Sequence, residues 1–237
     1  MDDAKWERWG AATGIVFFVL VALSVFIVPA APPKANDSIV KITKYYADHR
    51  KALLAAGYVS GLALAFGLWF LGSLRSFLRA GEGGTGRLST VAFGAGLVTG
   101  TMALASTMAS SAITFKLAGL QGTAVVVRAL FDLSSMAAGL LWFPAAVWAA
   151  ATGTVAWRTG VLPKWYAQIS LLAAVAFIVD ALSVYVDSGP LATGGAYGLV
   201  AFIAFGLWVL VTSILIVQRV GKPMMPARAE GASAPPM

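Results

Sequence analysis

The sequence predicts an all-α polytopic membrane protein, a six-transmembrane-helix bundle with a short amphipathic segment after the first helix. Three observations predict it. Hydrophobic residues make up 59% of the chain. Charged residues make up only 11%, against about 25% in soluble domains, too few to cover a surface that faces water. The apolar residues also gather into six runs, each about as long as the roughly 20 residues that cross a hydrocarbon core.

The runs are 10–30, 52–72, 88–113, 129–152, 165–186 and 196–217. Backbone N–H and C=O groups find no water in lipid, so each run should be a helix. The runs are too continuous for the alternation of a β-barrel. The first run exceeds a signal-peptide core and follows Asp2, Asp3 and Glu7, so it is read as a retained span despite the small residues around Val28-Pro29-Ala30. After it, Asn36, Asp37 or Ser38 can cap a helix. Ile39, Ile42 and Tyr46 then share one face, while Lys41, Lys44, Asp48 and Lys51 take another. This is either a short amphipathic helix at the outer membrane surface or an early, water-exposed start of the second span. The segment 80–86 is a glycine-rich linker that does not match a phosphate-binding loop. The third run is long enough to tilt or to emerge from the membrane. Pro144 should kink the fourth. Trp6, Trp9, Trp165, Tyr166, Tyr185 and Tyr197 lie near span ends, as an aromatic belt would. Residues 1–220 thus form one transmembrane domain, and the Pro-, Ala- and Gly-rich tail 221–237 is expected to be a disordered cytoplasmic segment.

Basic residues in the loops set the orientation. Lys5, Arg8, Arg75, Arg79, Arg87, Arg158, Lys164, Arg219, Lys222 and Arg228 fall on one side, ten in all, against seven on the other: Lys34, Lys41, Lys44, Arg50, Lys51, Lys116 and Arg128. Both termini are therefore expected to be cytoplasmic. The net charge of +7 reads as topology and contact with anionic lipid, not as nucleic-acid binding. With no cysteine, disulfides, thiol nucleophiles and thiolate metal sites are excluded. The lone histidine, His49, excludes bis-histidine haem ligation and H-E-x-x-H zinc chemistry. No cofactor or metal is expected.

Two helices carry stripes of small and polar residues. In the third span these are Gly96, Gly100, Ala103, Thr107, Ser110 and Thr114; in the fifth, Ser170, Ala173, Ala176, Asp180, Ser183 and Asp187. The sharper reading turns the two stripes toward each other across a hydrophilic cavity, and the blander one makes them ordinary helix contacts. Inside the six runs only Asp132 and Asp180 are ionisable. Such groups are expensive in lipid and mark candidate sites. Arg128 stands four residues before Asp132, within reach of an intrahelical pair. The candidate ligand or ion residues are Asp180, Asp132, Arg128, Ser183 and Lys116, converging on an outward-facing pocket roofed by the segment that ends at His49. Alternatively, Asp180 only fixes helix register. Ser106, Ser110 and Ser111 have no intramembrane histidine to activate them, so no enzyme is expected.

The run Arg158-Thr159-Gly160-Val161-Leu162-Pro163-Lys164-Trp165, followed by a span with an embedded Asp180, resembles the fifth-helix region of an uncharacterised family of bacterial multi-pass membrane proteins. That family, a domain of unknown function with six or more spans, has a basic-Gly-x-Leu-Pro turn before an Asp-containing helix. The likeness extends loosely to Tyr45-Tyr46-Ala47-Asp48 and Arg50. It implies a bacterial inner-membrane protein and brings no activity. The functional expectation is a non-enzymatic binding, sensing or interaction protein with a polar pocket around Asp180 for a small-molecule or lipid-like ligand. The alternative is a small secondary transporter or proton-coupled carrier that uses Asp180 as its protonatable group, although no pair of broken helices occurs at matching positions. Membrane lipids are the expected partners, with a homo-oligomer open and no nucleic acid.

Overall fold

A computed structural model describes residues 3–28, 31–186, 189–193 and 195–220. The expectations for the tail 221–237 and for Asp187 fall outside these residues. The helices are α1 (Asp3–Ile27), α2 (Ile39–Asp48), α3 (Arg50–Glu82), α4 (Arg87–Phe115), α5 (Ala124–Leu140), α6 (Trp142–Thr159), α7 (Lys164–Ala181) and α8 (Ala196–Arg219). A 3-10 turn at Leu117–Gly119 precedes α5, and another at Leu182–Tyr185 extends α7. The described residues contain no strand. Six helical stretches are long and apolar enough to cross a membrane: Lys5–Ile27, Arg50–Glu82, Arg87–Gly119, Ala124–Thr159, Lys164–Tyr185 and Ala196–Arg219.

The helices form a closed ring. α1 packs against α3 and α8, α3 against α4, α4 against α5 and α6, α6 against α7, and α7 against α8. Arg8 donates to the Val220 carbonyl at 2.9 Å, so the two described chain ends meet. Arg219 Nη1 reaches the Val161 carbonyl at 2.6 Å, which puts the α6–α7 turn at that same end. The opposite end, here the cap end, carries α2, the Leu117–Gly119 turn and the connection from α7 to α8. The main core includes Phe70, Leu74, Leu78, Trp148, Val155, Leu162, Phe177 and Ile216. A second, smaller core of Ile42, Tyr46, Ile113, Val127 and Phe131 lies under α2 at the cap end.

The helices outrun the apolar windows. α3 continues from the predicted end at residue 72 to Glu82, which brings Arg75 and Arg79 onto a spanning helix. The fourth span is longer still and is interrupted at Leu141 rather than at Pro144. The cause is nonetheless the proline. Its ring lacks the N–H that would bond Leu140 O and crowds that carbonyl, so the break appears about one turn upstream. The amphipathic segment is a separate helix, capped by Ser38, whose Oγ accepts from Lys41 N at 3.3 Å. It ends at His49, immediately before α3.

The two stripes do not face each other: α4 and α7 are not packed together. A methyl on Gly96 would meet Leu71 of α3 and, at 3.3 Å, Trp148 of α6. Ser106 reaches Ser134 of α5 at 3.1 Å. On α7, Ser170 accepts from Trp208 Nε1 of α8 at 2.9 Å, and its Cβ would lie 2.9 Å from a methyl on Gly153 of α6. Small residues let each helix approach its ring neighbours, and the stripes of the third and fifth spans serve different partners. The Gly-x-Leu-Pro run is likewise a structural device. Gly160 ends α6 in the left-handed region at φ 67°, which only glycine adopts at no steric cost. Leu162 is fully buried, and Pro163 starts α7.

Within this core Thr152 Oγ1 is buried and has no hydrogen-bond partner. Valine has the same shape without the hydroxyl, so Thr152→Val should stabilise the bundle by about 1 kcal/mol, read as a higher unfolding temperature in mild detergent. A lower temperature would mean that the hydroxyl holds a buried water.

Candidate functional site

Asp180 sits in the last turn of α7 and is only 2% exposed. Its Oδ1 is sealed from solvent and has no hydrogen-bond partner. No basic side chain among the described residues pairs with it; the ion pairs are Lys41–Asp37 and Arg128–Asp132. The carboxylate faces the first turn of α8, where a methyl on Gly198 would lie 3.7 Å from Oδ1. That helix end carries a partial positive charge, although its Tyr197 N–H already donates to the Pro190 carbonyl at 3.0 Å. The connection closes over this corner. Thr193 Oγ1 donates to the Ser183 carbonyl at 3.1 Å, and Tyr197 Oη donates to the Ala176 carbonyl at 3.2 Å. Ser183 itself is buried and packs toward Gly139 of α5, 3.2 Å from where a methyl would stand.

The other candidate residues are elsewhere. Asp132 is half-exposed and pairs with Arg128 at 2.9 Å on its own helix. Arg128 also donates to the carbonyls of Ala35 at 2.8 Å and Asp37 at 3.3 Å, fastening the segment before α2 onto α5. Lys116 lies 5.8 Å from the centre of the Phe115 ring. No ion pair among the described residues links Asp180 to Arg128 or Lys116. Arg128, Asp132 and Lys116 belong to the cap, where pairing and solvent keep their charges cheap, while Asp180 stands alone with Ser183 at the α7–α8 corner. His49 is engaged too: its Nδ1 lies 2.9 Å from the Tyr45 carbonyl.

Two contributors escaped sequence reasoning. Gly198 was legible only as one more small residue near a span start. Arg75 looked like a loop residue because the apolar window closed at Gly72. Its guanidinium lies 5.5 Å from the centre of the Phe93 ring, and its Nε is buried without a partner.

The chain matches no family model, and no curated protein and no solved structure is significantly similar to it.

The cap has its own electrostatics. The Asp37 carboxyl is held below the usual range by the hydrogen bond from Lys41 and by the backbone N–H of Lys34. A carboxyl held low in the fold contributes to order while the pH exceeds its ordinary value. It loses that contribution as the pH falls through its folded value. Arg128→Gln should speed proteolysis within residues 31–38 roughly fivefold, the equivalent of about 1 kcal/mol for a lost charge-assisted bond. Acidification below about pH 3.9 should loosen the same segment. Unchanged cleavage of the variant would show that Arg128 does not hold the loop.

Proposed function

We propose that this chain is a non-enzymatic, multi-pass protein of a bacterial inner membrane, and that it binds a proton or a small cation at Asp180 as a binding or sensing protein. One observation carries the reading: a carboxylate inside a spanning helix has a sealed oxygen without hydrogen bond or counter-charge. An uncompensated buried charge costs far more than a paired one. A proton or a cation supplies what the protein does not. The room beside Gly198 suits something of that size rather than a molecule of many atoms. The Lys and Arg distribution supports cytoplasmic termini, which would turn the cap end, and Asp180 with it, outward.

The surroundings favour a one-sided site over a conduit. The next polar cluster on α7 is Ser170, bonded to Trp208, with Tyr166 Oη 2.6 Å from Thr212 Oγ1. Ser170 is ten residues from Asp180, about 15 Å along the helix. Between them Trp142 stacks on Phe177 with ring centres 5.1 Å apart, and Phe205 closes on both. This apolar plug carries no polar relay, which weighs against a proton-coupled carrier. Two of the α4 serine hydroxyls are committed elsewhere, Ser106 to Ser134 and Ser110 to the Ser106 carbonyl, and no histidine stands beside them. That arrangement activates no nucleophile.

The test is unfolding of wild type and Asp180→Asn in mild detergent, from pH 5 to 8 and with added sodium or potassium. The wild type should respond to pH or to the ion, and the variant should lose that response. Its unfolding temperature should stay level or rise by about 2–4 °C per kcal/mol of relieved cost. A variant weakened equally at every pH and ion concentration would make Asp180 a structural residue and end the proposal.

A further inference from the structure

At the cap end, α1, α3 and α4 enclose a half-open cleft of about 190 Å³ that does not include Asp180. Its polar lining is made of hydroxyls: Ser24 from α1, Ser60 from α3, and Thr107, Ser110, Ser111 and Thr114 from α4. No charged side chain lines it; the remaining walls are Val25, Leu53, Ala56 and Gly57, together with Ser106. Gly57 lets α3 and α4 approach closely there, since a methyl on it would stand 3.1 Å from Ser111 Oγ.

The hydrogen-bond accounting decides the chemistry. Thr107 donates to the Ala103 carbonyl at 2.9 Å, Ser110 to Ser106 at 2.9 Å, Thr114 to Ser110 at 2.7 Å and Ser24 to Val21 at 2.7 Å. Their protons are committed, so these four oxygens offer only lone pairs. The hydroxyls of Ser60 and Ser111 have no partner among the described residues and can both donate and accept. The cleft is therefore rich in acceptors, with two adaptable groups and no charge. An ion entering it would lose its hydration without a counter-charge, so the fitting ligand is neutral and carries several O–H groups. The volume exceeds the ~150 Å³ of a cavity that holds benzene and equals about six waters.

We propose that this cleft binds a neutral polyhydroxyl group of glycerol size, either as a free polyol or as the headgroup of a neutral glycerolipid. The site is independent of Asp180, so the two can fail separately. The experiment is saturation-transfer difference NMR on the full chain in an amine-oxide detergent, which carries no sugar, with glycerol and 1-monooleoylglycerol as probes. Ser60→Leu fills the cleft, Ser111→Ala removes one adaptable hydroxyl with minimal disturbance, and Asp180→Asn serves as the control. Unfolding temperature shows that each variant is folded. Wild type and Asp180→Asn should bind at least one probe, and both cleft variants should bind it at least tenfold more weakly. Saturation by glycerol alone identifies a free polyol, and saturation only by the monoglyceride identifies a lipid headgroup. No saturable binding by folded wild type, or equal binding by folded Ser111→Ala and Ser60→Leu, would overturn the proposal and leave a cleft that holds water.

Discussion

A helix that crosses lipid satisfies its own backbone in the middle and leaves it bare at the ends, with four N–H groups at the start and four carbonyls at the finish. In this chain charged side chains meet those ends from neighbouring elements. Arg8 bonds the Val220 carbonyl after α8, and Arg219 bonds Gly160 and Val161 after α6. Arg50 bonds Thr114 and Phe115 at the end of α4. Glu82 does the reverse, accepting the N–H groups of Leu88 and Ser89 at 2.9 and 2.8 Å in the first turn of α4. The bonds of Arg8, Arg50 and Glu82 join helices that the ring places side by side, and Arg219 ties α8 to the α6–α7 turn, so finishing one helix also fixes its position against others. Several of the basic residues that the orientation reading counts are thus also fasteners of the bundle.

That double use explains what the sequence made legible. The number of spans follows from hydropathy, because nothing but helices satisfies long apolar runs. Their ends do not follow, because Arg75 and Arg79 look like loop residues until α3 is seen to carry them to Glu82. The stripes on α4 and α7 were visible as faces, yet periodicity names a face and never its partner. Gly96 and Ser170 turned out to serve contacts within the ring, toward α3, α6 and α8. The Gly160-to-Pro163 run stood out as a motif for the same reason it is structural: a left-handed glycine, a buried leucine and a proline make one specific turn. The candidate site was half legible. Asp180 was identified as an acid inside an apolar run, but which other charges it would meet depends on helix order, which no single run encodes.

Two aspartates show how environment, not residue type, decides cost. Asp132 has Arg128 one turn away and solvent on one side, so its charge stays inexpensive and its work is to steady the residue that holds the loop before α2. The cap around it is a small body of its own, with Tyr46 buried and its phenol pushed up to about 12 by that burial. It remains neutral across any physiological pH, as a residue packed on Phe131 must. Asp180 has none of this support.

Consistency is what makes Asp180 stand out. Natural sequences satisfy local rules almost everywhere and break them where function requires it. Here Asp37 and Asp132 are paired, Glu82 caps α4, and most core hydroxyls bond a carbonyl one turn back. The other sealed, partnerless atoms are Arg75 Nε, Trp148 Nε1 and Thr152 Oγ1. The first belongs to a cation already stacked on Phe93, and the other two are neutral groups whose isolation costs a kcal/mol or so. Among the described residues, only Asp180 combines a buried carboxyl with a sealed oxygen that has no partner. The α8 N-terminus beside it supplies only a weak field that falls off within a turn. Under the proposed reading, a proton or cation at Asp180 supplies the compensation that the protein leaves out.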